Sequence, residues 1–122
     1  MESYELKVLR QLFFFTISEA AEHISKTSKR SWERYESGDQ VIHLDVIQTM
    51  QQLALTRHEM LMFENDKDDP NYQYHNTYEE YKTNGGGGGV IRWRLAQSVS
   101  AQLTSYHHAH LWQLEETING SE

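Results

Sequence analysis

Two short helical patterns joined by a polar turn, within residues 16–38, constrain the fold of this chain more than any other feature. Thr16 is typical of a helix N-cap, and Glu19 follows three residues later, as in a capping box. The helix that they begin is short, and we predict it over residues 17–24. Its apolar residues are spaced to face the protein interior; they are Ile17, Ala20, Ala21 and Ile24.

The second short helix follows a polar turn at residues 25–28. We predict this helix over about 28–36, and Gly38 is a natural residue to end it, because glycine readily adopts the left-handed conformation found there. Trp32 and Tyr35 are three residues apart and are predicted to face inward, which anchors the helix. The other side is polar. The arrangement predicts a helix-turn-helix.

Longer helical patterns flank this pair. Ser3 is predicted to cap a first helix, whose apolar stripe is Leu6, Leu9, Leu12 and Phe13. A fourth helix is predicted from near Leu44 to about Phe63, with a stripe of Val46, Ile47, Met50, Leu53, Ala54 and Leu61. Four helices in this order are typical of the phage-repressor type of DNA-binding domain.

The composition changes at residues 64–71, which hold five charged residues and the only proline. We place a domain boundary there, between residues 1–64 and residues 65–122. The second domain is predicted to contain a short strand at 72–75, a short helix at 77–82, a mobile five-glycine loop at 85–89 and a helix at 90–112. The fold class is therefore mostly α, with a small α+β C-terminal domain.

The core is too small to favour a monomer, since only 38% of the 122 residues are hydrophobic. We expect a homodimer that buries additional apolar area. The strand at 72–75 could pair across the dimer as an edge strand, and one face of the last helix could form the rest of the interface. The residues predicted for dimerisation are Tyr72, Tyr74, Ile91, Leu95, Val99, Leu103 and Tyr106.

Several classes of protein are excluded by composition. No cysteine is present, which excludes disulfides, thiolate zinc sites and a cysteine nucleophile. The longest apolar run, Leu12–Phe15, is far too short for a membrane span, and the N-terminus lacks a signal-peptide pattern. We expect a cytoplasmic protein without membrane contact. Catalytic carboxylates or a Ser-His arrangement are not evident, and neither an enzyme activity nor a cofactor is expected.

The net charge of −7 argues against nonspecific attraction to nucleic acid. The local charge differs from the total, however, because a basic cluster lies in and before the second short helix; it comprises Lys26, Lys29, Arg30 and Arg34 against the single acid Glu33. An acidic protein with one basic patch should bind random DNA poorly and depend on specific contacts.

The outward side of that helix is suited to the major groove. Arg30 can donate two hydrogen bonds to guanine, and Glu33 can accept from a cytosine amino group or orient an arginine. Ser28 and Lys29 can reach phosphates at the helix start. The predicted DNA-contacting residues are Ser28, Lys29, Arg30, Ser31, Glu33 and Arg34. The alternative is an ordinary solvated amphipathic helix.

Two separated motifs carry a resemblance to a known family. The first is Ile17-Ser-Glu-Ala-Ala-Glu-His-Ile followed by Ser28-x-Arg-Ser-Trp-x-x-Tyr-Glu-Ser-Gly, and the second is Val90-Ile-Arg-Trp-Arg-Leu-Ala-Gln-Ser-Val-Ser-Ala. Together they resemble the anti-CRISPR-associated (Aca) repressors, of the type with a Cro/C1-type helix-turn-helix and a C-terminal dimerisation domain. Two features depart from the family pattern: Ser25 and Lys26-Thr27 stand where a glycine and a valine-containing turn are usual, and the five-glycine loop replaces a more ordinary turn.

The resemblance implies an autorepressor of a phage or mobile-element operon. Such a protein would bind an inverted repeat of double-stranded DNA as a homodimer, and this type is also implied to bind its own messenger RNA. Arg30 falls at the position of the family's DNA-contacting arginine.

Alternatives to this function remain open at the level of sequence. One is a DNA-binding antitoxin whose second half neutralises a toxin. Another is a metal-responsive regulator, because His107, His108 and His110 lie close together, although metal binding is not our expectation. The aromatic residues of the second half could also stack on RNA bases, but nearby acidic residues disfavour that role.

Overall fold

The computed structural model describes residues 1–67 and 73–119, and these residues are organised as helices. They are α1 (Ser3–Leu12), α2 (Ile17–Ala20), a π-helical turn (Ala21–Ser25), α3 (Lys29–Ser37), α4 (Leu44–Asn65), α5 (Tyr78–Thr83) and α6 (Gly89–Asn119). Within the described ranges, no helix is both long enough and apolar enough to cross a membrane.

The prediction of a small α+β C-terminal domain was wrong, because no strand occurs among the described residues. Tyr72 lies outside them, and residues 73–75 belong to neither a helix nor a strand. The backbone carbonyl of His75 instead accepts hydrogen bonds from two α6 side chains, Trp93 Nε1 at 3.0 Å and Gln97 Nε2 at 2.8 Å. Two side chains thus bind the carbonyl oxygen of His75, which in a strand would accept a hydrogen bond from the neighbouring strand.

The first four helices surround a common core. Its fully buried members include Leu6, Phe13, Trp32, Tyr35 and Met50. Helix α1 packs against α3, and α2 with its π-helical turn packs against α3 and α4. This packing holds α3 in a fixed place at the surface.

Local hydrogen bonds define the residues at which α1 and α2 begin. At α2, the Glu19 N–H donates to Thr16 Oγ1 at 3.1 Å and the Thr16 N–H donates to Glu19 Oε1 at 2.9 Å, so the capping box is confirmed. At α1, however, the cap is Glu2 rather than Ser3, because the Glu2 N–H donates to the Glu5 carboxylate at 2.8 Å.

The helix predicted over residues 17–24 contains less α-helix than expected, because α2 ends at Ala20 and the chain continues as the π-helical turn. That turn ends at Lys26, which adopts a left-handed backbone with φ of 55°. A non-glycine residue pays about 1–2 kcal/mol for this conformation. Lys26 is therefore the residue of this turn whose backbone favours glycine, and it directly follows Ser25, the position at which the resemblance implies a glycine.

Helix α6 packs along α4. Leu95 lies in the core of the first four helices, while Val99 and Leu103 form a second cluster with Leu61 of α4. Arg57 of α4 is buried beside this cluster; it donates to Ser98 Oγ at 2.9 Å and, through another nitrogen, to Gln102 Oε1 at 2.6 Å. Burial lowers the pKa of Arg57.

The glycine loop between α5 and α6 is closed by Tyr81. The Tyr81 hydroxyl donates to the carbonyl of Gly87 at 2.6 Å, and burial is the main cause that raises the pKa of this tyrosine. A Cβ at Gly86 would lie 2.6 Å from the Tyr81 ring, so the close approach requires glycine there. Gly89, which was predicted to belong to the loop, is already the first residue of α6.

Candidate nucleic-acid interface

Helix α3 has well-defined ends. Ser28 is its N-cap, and the Ser31 N–H donates to Ser28 Oγ at 3.1 Å. Gly38 follows the last residue with φ of 84°, a left-handed conformation in which glycine is favoured. The helix is therefore nine residues long, a length that fits a major groove.

The inner side of α3 is anchored by two aromatic residues. Trp32 is 0% exposed and Tyr35 is 1% exposed, and their rings meet edge to face with centroids 6.2 Å apart. Burial, together with Asp45, raises the pKa of Tyr35. The two residues therefore pin α3 to the core, as the sequence pattern predicted.

The outer side of α3 carries the predicted DNA-contacting residues. Ser31 is half-buried, and the other five are exposed: Ser28, Lys29, Arg30, Glu33 and Arg34. Arg30, Glu33 and Arg34 line an open depression that continues to Ser37 and Asp39. In the part of the chain that the structure describes, neither Arg30 nor Arg34 is engaged in an ion pair. Both guanidinium groups are available to a ligand.

A buried ion pair that the sequence analysis missed supports α3 from below. Arg10 of α1 donates to both carboxylate oxygens of Glu36, from Nε at 2.6 Å and from Nη2 at 3.1 Å. The side chains are only 11% and 8% exposed. Trp32 Nε1 donates to the same carboxylate, and Arg10 Nη1 also donates to the carbonyl of Phe15 at 3.1 Å.

One signal in the sequence could have revealed this pair. Arg10 lies four residues after Leu6 and three before Phe13, so it interrupts an otherwise apolar face of α1. A charged residue in that position is buried only if it is paired. Its partner is 26 residues away, however, and helical spacing alone does not identify it.

The residues predicted for dimerisation do not form one exposed face. Leu95, Val99 and Leu103 are buried within the chain itself and Ile91 is half-buried, whereas Tyr74 and Tyr106 are exposed. The predicted helix ended at about 112, but α6 continues to Asn119. The part of α6 that follows Leu103, called here its distal part, displays exposed apolar side chains that include Leu111, Trp112 and Leu114.

The histidines of α6 were considered as metal ligands. The rings of His107 and His108 contact each other with centroids 5.5 Å apart. Among the described residues, no group of three histidine, aspartate or glutamate side chains is placed to hold a metal ion.

Comparison with known proteins identifies relatives over nearly the full chain. The sequence model of the family described as Aca2/YdiL-like matches residues 1–111. The chain is 39% identical over 115 residues to the Aca2 repressor of Pectobacterium phage ZF40, which covers 91% of this chain and 99% of the relative. It is 29% identical over 112 residues to the uncharacterized protein YdiL of Escherichia coli (strain K12), covering 87% and 95% of the two chains. The resemblance to the anti-CRISPR-associated repressors is thereby confirmed.

Proposed function

The chain belongs to the Aca2/YdiL-like family, and on that premise we propose that it is a sequence-specific DNA-binding repressor. It acts as a homodimer on an inverted repeat and represses its own operon in a phage or other mobile element. The relative named a repressor supports this role, because the alignment with it includes almost the whole of both chains.

The single observation that carries the proposal is the two-sided character of α3. Its inner side is fixed by Trp32 and Tyr35, and its outer side presents Arg30 and Arg34 to solvent. A recognition helix requires both properties, because base contacts demand exposed donors whose position does not vary.

Each of the six predicted side chains has a proposed role. Arg30 donates to guanine O6 and N7, and Glu33 accepts from a cytosine or orients an arginine across the groove. Ser28 and Lys29, at the N-terminus of α3, contact DNA phosphates. Arg34 contacts the DNA backbone or a neighbouring base. Ser31 supports the start of the helix. Because the net charge of the chain is −7, affinity depends on these contacts more than on the overall field.

The dimer is proposed to form through the distal part of α6 and not through the stripe predicted from sequence. Leu95, Val99 and Leu103 are already covered by their own chain, whereas Tyr106, Leu111 and Leu114 are exposed at a spacing that brings them to one side of the helix. We propose that residues 1–64 contact DNA and that residues 65–122 form the dimer.

The test is the substitution Arg30→Ala, with Arg92→Ala as the matched control. Both arginines are exposed, and both substitutions lower the positive charge by one. The preferred site is first selected from a random DNA pool with the unaltered protein. We expect Arg30→Ala to weaken binding to that site by about 1–3 kcal/mol or more, and Arg92→Ala to leave it near normal.

Two results of this experiment would contradict the proposal. Near-normal affinity of Arg30→Ala in a mobility-shift assay would remove α3 as the recognition helix. Failure of the unaltered protein to select any inverted repeat would remove operator binding altogether. Binding to its own messenger RNA stays a prediction.

A further inference from the structure

Helix α6 spans the distance between the helix-turn-helix and the proposed dimer surface. Its 31 residues extend about 46 Å at 1.5 Å per residue. Near its start, Leu95 enters the core of the first four helices, and from Thr104 to Ile118 its side chains are exposed. In a dimer formed through the distal part, the angle at which α6 meets the helix-turn-helix fixes where the two copies of α3 lie.

An ion pair joins α6 to the helix-turn-helix directly. Arg94 Nε lies 2.9 Å from Glu19 Oε1 and 3.1 Å from Glu19 Oε2, and the side chains are only 21% and 19% exposed. The pair connects residues 75 positions apart in the chain. It therefore links α6 to α2, the helix that packs against α3.

Both members of the pair are held in place by their own elements. Glu19 Oε1 also accepts from the Thr16 N–H in the capping box of α2. Arg94 Nη1 donates to Gln97 Oε1 at 2.8 Å, and Gln97 in turn donates to the carbonyl of His75. A movement of α6 relative to α2 would have to break the hydrogen bond from Arg94 to the Glu19 carboxylate, which is charged and therefore stronger than a neutral one.

The apolar contact at Leu95 does not supply the same constraint. Burial of an apolar side chain is non-directional, so it fixes the position of α6 against the core more than its angle. The Arg94 Nε–H makes a bifurcated hydrogen bond to the two oxygens of the Glu19 carboxylate, and this charged hydrogen bond depends on direction, so it constrains the angle.

We propose that Arg94 is a positioning residue, which through Glu19 sets the angle between α6 and the helix-turn-helix and so determines the half-site spacing that the dimer accepts. This inference rests on the proposed function. It predicts an effect on the preferred DNA geometry that is separate from any effect on base contacts.

The experiment measures binding to a series of duplexes that carry the selected inverted repeat with its half-sites moved apart or together by one or two base pairs. Each base pair shifts a half-site by about 3.4 Å and turns it by about 34°, so a rigid dimer discriminates strongly among the duplexes. Arg94→Met keeps most of the side-chain volume and removes the ion pair. Arg92→Met is the matched control, because it makes the same change in charge two residues away on the same helix.

We expect Arg94→Met to reduce the preference for the native spacing by about 2- to 30-fold, the range in which residues of a coupling network act. Arg92→Met should retain the spacing profile of the unaltered protein. Arg94→Lys should retain most of it, since it restores the charge. Glu19→Gln tests the pair from the other side. It removes the negative charge and one of the two oxygens that face Arg94, while the amide oxygen can still accept from the Thr16 N–H and preserve the start of α2.

The outcomes separate the inference from the function beneath it. Should Arg94→Met and Glu19→Gln, both folded and dimeric, keep the spacing profile of the unaltered protein, the positioning role is overturned while operator binding stands. A loss of affinity that is equal at every spacing also overturns it, because that is the signature of a purely structural role. If the unaltered protein selects no inverted repeat, the proposed function and this inference fall together.

Discussion

Replacement of Glu36 tests the idea that α3 depends on the buried pair with Arg10. In Glu36→Leu, the Arg10 guanidinium stays among buried residues without its counter-charge, and Trp32 Nε1 loses its acceptor. Removing one partner of a buried ion pair costs about 3–5 kcal/mol. A domain of this size is stabilised by about 5–15 kcal/mol in total, so the variant should be folded only marginally.

The opposite single substitution and the double substitution complete the cycle. Arg10→Met leaves the Glu36 carboxylate with Trp32 as a remaining donor, and we expect a cost of about 2–4 kcal/mol. In the double variant no buried charge is left unpaired, and the main loss is the acceptor for Trp32 Nε1, worth about 1–3 kcal/mol. The double variant should therefore be more stable than the sum of the single effects predicts, by at least about 2 kcal/mol.

The assay is urea unfolding followed by far-UV circular dichroism, with all variants at one protein concentration because the stability of the proposed dimer would depend on it. Glu22→Leu is the matched control, since the Glu22 side chain is 75% exposed and its replacement should change stability by no more than about 0.5 kcal/mol. Additive effects in the cycle, or a cost of Glu36→Leu no greater than that of Glu22→Leu, would refute the reasoning.

Two further predictions concern stability and assembly. Tyr35→Phe should raise the free energy of unfolding by about 1 kcal/mol, because the Tyr35 hydroxyl is buried without a hydrogen-bond partner among the described residues. Burial raises the pKa of Tyr35 above that of the unfolded chain, so its contribution is present below about pH 10 and is lost as the pH rises further; Tyr35→Phe should flatten this alkaline decline in a urea titration against pH. The double substitution of Leu111 and Leu114 by glutamate should convert the proposed dimer to a monomer in sedimentation, whereas Ser105→Glu, on the other side of α6, should not.

The local parts of the fold could be predicted because their signals lie within one helix turn. The capping box at Thr16 and Glu19 and the inward placement of Trp32 and Tyr35 depend on residues three or four positions apart. The outward placement of Arg30 follows from the same periodicity. These features defined the candidate interface before any contact between distant residues was known.

The parts that could not be predicted depend on distant partners. The stripe of Leu95, Val99 and Leu103 had the right period, but periodicity does not reveal whether a stripe packs on its own chain or on a second copy. The prediction of a strand at 72–75 was wrong, because four residues that alternate between aromatic and polar cannot reveal that α6 side chains bind the His75 carbonyl. The Arg10–Glu36 and Glu19–Arg94 pairs are separated by 26 and 75 residues, beyond the reach of any local pattern.

The burial of Leu95 of α6 in the core of the first four helices has a consequence for synthesis and for engineering. During translation, the first 64 residues emerge while a side chain that belongs to their core is still to be made. The nascent chain therefore cannot complete that core until α6 has emerged. A chimera that grafts residues 1–64 onto a foreign dimerising segment would carry an apolar gap at this position, and it would need a leucine supplied from the new segment to close it.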